Sequence, residues 1–115
     1  MTVRSLAAAS LIVLASLVLA PVAAPAPSAT TITVTAKEFK FVLSAKSAKA
    51  GKVTFKVKNA GKLDHDFKIA GKKTPMLKPG KSATITATVK KGKNSYICTV
   101  AGHASAGMKG SFTGK

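Results

Sequence analysis

Beyond residue 30 the apolar positions recur every second residue. Ile32 and Val34 alternate with Thr31, Thr33 and Thr35. Phe39, Phe41 and Leu43 alternate with Glu38, Lys40 and Val42, and Val53, Phe55 and Val57 with Lys52, Thr54, Lys56 and Lys58. Ala83, Ile85, Ala87 and Val89 interleave with Ser82, Thr84, Thr86, Thr88 and Lys90. A period of two turns one face of a strand to a core and the other to water. The β-branched and aromatic content suits a pleated surface. Turn chemistry separates the runs at Ala50-Gly51, Asn59-Ala-Gly61, Gly71-Lys-Lys73, Lys78-Pro-Gly80 and Lys91-Gly-Lys-Asn94. Short strands at such spacing predict an all-β sandwich or barrel. After residue 30 there is no helical period, heptad or internal repeat.

Residues 1–29 follow a different rule. Arg4 gives a short positive start, and Ser5 to Ala20 is apolar or small throughout. Pro21 then breaks any helix, and the stretch to Ala29 is rich in Ala and Pro. This is the layout of a secretory signal peptide with an Ala/Pro-rich linker, cleaved between Ala24 and Ala29. The apolar run is shorter than the roughly 20 residues a membrane span needs. An uncleaved leader would tether the chain to the membrane. No Cys follows the run and no twin Arg precedes it, so neither lipidation nor twin-Arg export is indicated. The domain proper is residues 30–115, large enough for one core. Export places it in the periplasm or outside the cell.

The chain has 115 residues, with 19 Lys and Arg against 3 Asp and Glu, and a formal net charge of +16. That length allows one modest domain. Three acids leave little room for a glycosidase pair or a calcium cage. One cysteine excludes an intrachain disulfide, a Cys₄ zinc site and an iron–sulfur cluster. Most lysines fall on water-facing strand phases and in turns, as a solvated surface requires. They would also attract an acidic partner or an anionic membrane face. Nucleic acid is not expected, because the chain is exported and its aromatics fall on core phases instead of between basic residues.

The rare residues gather in two loops. Cys98, His103 and Met108 are five apart each time, in a stretch rich in Gly and Ala. His65, the other histidine, stands in Leu63-Asp-His-Asp-Phe67. Gly102 and Gly107 permit tight turns. One thiolate, two imidazoles and a thioether form a soft, mixed N/S set. It suits copper held in a trigonal His₂Cys plane with a long, weak Met bond. A Cys-His₂ set also binds zinc, which copper(II) outcompetes. Each residue alone has a plainer reading, as a small buried thiol, a core histidine or a packing methionine. Met76, in Thr74-Pro-Met-Leu-Lys-Pro-Gly80, is expected to pack only.

The segment from Tyr96 to Gly110, with its Cys-x₄-His-x₄-Met spacing, resembles the copper loop of cupredoxins of the plastocyanin and amicyanin type. Gly51-Lys-Val-Thr-Phe-Lys-Val-Lys-Asn59-Ala-Gly, His65-Asp-Phe67 and Leu77-Lys-Pro-Gly-Lys-Ser82 resemble the same family, so the likeness covers nearly all of 30–115. The resemblance implies a Greek-key two-sheet β-sandwich with one copper, cycling between Cu(I) and Cu(II), at one end. It implies that His65, Cys98 and His103 are equatorial ligands, Met108 the axial one, and His103 the ligand nearest the surface. Ala101, Gly102, Ala104, Ala106 and Gly107 would form a flat apolar patch there. In one respect the chain departs: Asp66 stands where the family commonly has Asn. It would tie to Thr99 through the hydroxyl or the backbone N–H, and its charge would lower the reduction potential.

The expected protein is thus a monomeric, exported carrier of single electrons between redox partners, and not an enzyme. An acidic docking face on those partners would match the lysines. Storage, delivery or resistance to copper is the alternative use of the same four ligands. Delivery proteins favour open Met- and His-rich sites, which are missing here. A metal-free immunoglobulin-like binding module would leave Cys98 and the loop spacing unexplained.

Overall fold

The computed structural model describes residues 2, 12–17 and 30–115. The expected signal peptide and its cleavage region fall almost wholly outside the described residues. Among those described, no helix is long and apolar enough to cross a membrane.

The alternating runs become strands β1 (Thr30–Lys37), β2 (Lys40–Leu43), β3 (Ser47–Ala48), β4 (Gly51–Asn59), β5 (Lys68–Ile69), β6 (Lys72–Lys73), β7 (Ser82–Val89), β8 (Gly92–Ile97) and β9 (Lys109–Gly114). They form two sheets, β2-β1-β4-β7 and β3-β9-β8-β5-β6, packed as the expected Greek-key sandwich. β1 runs parallel to β4, with Val34 opposite Val57 and Ala36 opposite Asn59. β8 and β9 are antiparallel, with Tyr96 opposite Gly110.

The inward phases meet in one core. Ile32, Val34, Val53, Phe55, Val57, Ala87 and Val89 come from the first sheet, and Ile69, Tyr96 and Phe112 from the second. Phe55 sits 5.4 Å from Phe112 and 5.5 Å from Phe67, centroid to centroid. Burying each such ring contributes about 1.5–3 kcal/mol. Every lysine from Lys37 to Lys115 is exposed, as the outward phase predicts.

Two positions depart from the expected pattern. Phe39 is not a core residue with Phe41 and Leu43. The β1–β2 ladder closes at Lys37 opposite Lys40, so Glu38 and Phe39 form the hairpin turn and leave the alternation. Phe39 is 39% exposed. Met76 does not pack inside either; it is 50% exposed, and Leu77 beside it fills the core position.

The topology places the functional loops together. Because β1 and β4 are parallel, the turn after β1 and the loop after β4 leave the same end of the sandwich. The connection from β8 to β9 meets them there.

Candidate metal centre

His65 lies in the loop after β4 and is pinned by a two-way bridge to Leu77. Its N–H donates to the Leu77 carbonyl at 3.0 Å, and the Leu77 N–H donates back at 2.7 Å. Asn59 at the end of β4 is fully buried and organises the same loop. Its amide donates to the carbonyls of Leu63 and Leu77, each at 2.7 Å, and its Oδ1 accepts the Gly61 N–H at 2.9 Å.

Cys98 follows β8 directly, Met108 precedes β9, and His103 sits in the turn between. The loop closes on itself through its backbone. The Cys98 N–H donates to the Met108 carbonyl, and the Met108 N–H to the His103 carbonyl, each at 3.0 Å. Gly102 holds φ at +80° and Gly107 at +122°, where a side chain would be strained.

The fold brings His65, Cys98 and His103 into one buried cluster. The two Nδ1 atoms are 3.1 Å apart; Cys98 Sγ is 3.6 Å from His103 Nδ1 and 4.0 Å from His65 Nδ1. The point equidistant from all three lies about 2.1 Å from each, against metal–imidazole bonds of about 2.0–2.1 Å and metal–thiolate bonds of about 2.3 Å. The donors therefore fit one metal ion without rearrangement. Met108 is completely buried and packs with Cys98 and Ala36. His103 is 8% exposed and His65 not at all, so His103 is the outward member. Exposed Ala101, Gly102, Ala106 and Gly107 surround it, with Ala104 half-buried.

Burial pushes the Cys98 thiol up from its ordinary value. An incoming cation must displace that proton to bind the thiolate.

The expected Asp66–Thr99 tie is present in both forms. Asp66 Oδ1 accepts the Thr99 N–H at 2.6 Å, and Oδ2 accepts the Thr99 hydroxyl. Lys73 Nζ approaches Oδ2 at 3.8 Å.

Three participants were not legible as such in the sequence. Glu38 reaches His65 Nε2 at 3.3 Å. The Leu63 N–H, with help from Lys62, holds its carboxyl well below the usual range, at about 2. Phe39 places its ring against His103, and Asn59 was readable only as a turn residue. Scarcity alone could have pointed to Glu38. All three acids of the domain, Glu38, Asp64 and Asp66, border this site.

A β-sandwich with a buried, mixed N/S donor cluster at one end defines a class of small copper protein. The cupredoxin-like domain family matches residues 8–113, and the chain belongs to that family. Its fold is similar to a dithionite-reduced auracyanin from the photosynthetic bacterium Roseiflexus castenholzii. That structure has a TM-score of 0.65 and 23% identity, with 76% of this chain and 98% of the other covered. It is similar also to auracyanin B, with a TM-score of 0.64, 24% identity, and coverage of 76% and 89%. Comparison with curated proteins gives no match. The family and the His-Cys-His cluster point to one copper per chain, in a carrier and not an enzyme.

Proposed function

We propose that the chain is an exported type 1 copper protein that carries single electrons between redox partners. His65, Cys98 and His103 would hold the copper through two imidazoles and a thiolate, and Met108 would add its thioether. The observation that carries this reading is the triangle of two imidazole nitrogens and one sulfur, buried and already spaced for one ion. Copper supplies a one-electron couple that thiolate, imidazole and thioether hold in both oxidation states. The protein's own residues keep water out and keep the donors in place. His65, Cys98 and Met108 are shut from solvent, and the outward His103 offers the exit.

Uncharged Ala101, Gly102, Ala106 and Gly107 make the docking patch, small enough for brief encounters. The lysines that cover the rest favour a partner with an acidic face and keep the chain monomeric by mutual repulsion. They also give the domain a general attraction to anionic membrane surfaces. Residues 1–29 act as the leader and linker, and 30–115 as the cupredoxin domain, working in the periplasm or outside the cell.

The test is a visible spectrum of the protein titrated with Cu(II), beside Cys98→Ser. An intense blue band at one equivalent, absent from the variant and reversibly bleached by a mild reductant, is expected. No band in the unsubstituted protein would overturn the type 1 assignment. A band accompanied by rapid loss of copper to a competing chelator would favour delivery over electron transfer. Transfer to an acidic partner should slow as salt rises; a rate independent of ionic strength would remove steering.

A further inference from the structure

Two residues outside the donor set touch its two histidines, and they are neighbours in the chain. The β1–β2 turn is Glu38-Phe39. Glu38 Oε1 lies 3.3 Å from His65 Nε2. The same oxygen accepts the N–H groups of Lys62 at 2.6 Å and Leu63 at 2.7 Å. The carboxylate is thereby clamped by the backbone of the loop that carries His65. Gly61 shows how tight the approach is, since a Cβ there would sit 2.5 Å from Glu38 Oε1. Phe39 wedges the turn against the other ligand loop. Its ring meets His103 edge-on, with centroids 5.2 Å apart and planes at 73°. Its carbonyl oxygen would lie 3.0 Å from a Cβ on Gly107.

We propose that Glu38 is a positioning residue for the metal centre, acting through His65. An ionised carboxylate can only accept, so the His65 nitrogen facing it carries the ring's proton. The neutral ring has one proton, and Nδ1 is left with a free lone pair. That lone pair faces Cys98 Sγ and His103 Nδ1, as a ligand's must. A carboxylate behind a ligating histidine also makes the ring a stronger donor. Stronger donation favours Cu(II) over Cu(I), so Glu38 lowers the reduction potential. The inference rests on His65 being a ligand.

A carboxylate that only held the loop together would act on stability alone. Three measurements on the full chain separate the two roles. In ¹⁵N-labelled, metal-free protein, two-bond correlations are expected to show His65 as the Nε2–H tautomer. Glu38→Gln keeps an oxygen for the two backbone N–H groups but removes the charge. It is expected to retain the blue band and raise the potential. Asp64→Asn is the comparison, because Asp64 is an equal charge one residue from His65 that pairs with Lys78 at 3.8 Å. Its shift should be clearly smaller. An Nδ1–H tautomer in the unsubstituted protein would overturn the proposal. So would a potential unchanged in Glu38→Gln, or moved no further than in Asp64→Asn. If Glu38→Gln does not fold, the tautomer decides alone. A missing blue band in the unsubstituted protein sinks the copper reading, and the tautomer still judges Glu38.

Discussion

The two loops that carry the proposed ligands are built by opposite means. The loop carrying Cys98, His103 and Met108 is held by its own backbone: His103 N–H to Val100, Ala106 to Gly102, Gly107 to Ala104, Met108 to His103 and Cys98 to Met108. The loop carrying His65 is held from outside. Asn59 supplies an amide, Leu77 a backbone bridge, Glu38 a carboxylate, and Asp66 a tie to Thr99. One loop closes by local turn geometry; the other adds to Asn59 at its start three partners distant in sequence, Glu38, Leu77 and Thr99. The site can therefore fail in two ways, by unpinning the His65 loop or by straining the Cys98–Met108 loop.

Unpinning should be the larger effect. Asn59→Ala removes three hydrogen bonds: the part-buried Leu63 carbonyl and Gly61 N–H lose their partner, and the buried Leu77 carbonyl keeps only the His65 N–H. Each lost bond contributes about 0.5–1.5 kcal/mol net, so the expected loss is about 2–4 kcal/mol in urea unfolding. Against a domain stability of about 5–10 kcal/mol this is severe. Copper binding should weaken with it, because His65 loses its fixed distance from Cys98. Straining the other loop should cost less. Gly102→Ala meets nothing within 4 Å, so only its backbone at φ +80° resists. That strain is about 1–2 kcal/mol. A Gly102→Ala loss exceeding that of Asn59→Ala would reverse the comparison.

The same contrast explains what could be read from the chain. The self-closing loop was legible because its donors stand close in sequence, and Gly102 and Gly107 announce its turns. His65 was legible through the scarcity of histidine and through its setting in a family pattern. The Asp66–Thr99 tie followed from the same pattern. Glu38 and Phe39 were hidden by their phase. They continue the alternation of Lys40 to Leu43, and only the pairing of Lys37 with Lys40 shows that a turn intervenes. Asn59 read as turn punctuation, because the buried Leu77 carbonyl it serves is chosen by the tertiary fold. Alternation names the buried face of a strand but not its neighbour, so the parallel β1–β4 pair that gathers the site was out of reach.

Asp66 joins the two loops, and replacing it should move the potential while barely changing stability. In Asp66→Asn the amide oxygen can still accept the Thr99 N–H, and the amide N–H₂ can donate to the Thr99 hydroxyl oxygen. Lys73 loses an ion partner, but its half-exposed ammonium at 3.8 Å contributes little. The net change in stability should stay within about 1 kcal/mol. The electrostatic change is different in kind. Asp66 is fully buried, and its charge acts on Cys98, two hydrogen bonds and one residue away. Negative charge there stabilises Cu(II) more than Cu(I), so removing it raises the reduction potential. Voltammetry beside urea unfolding checks both halves at once. A potential that stays put or falls, with the blue band intact, would show that the tie is mechanical and that Lys73 already neutralises the carboxylate.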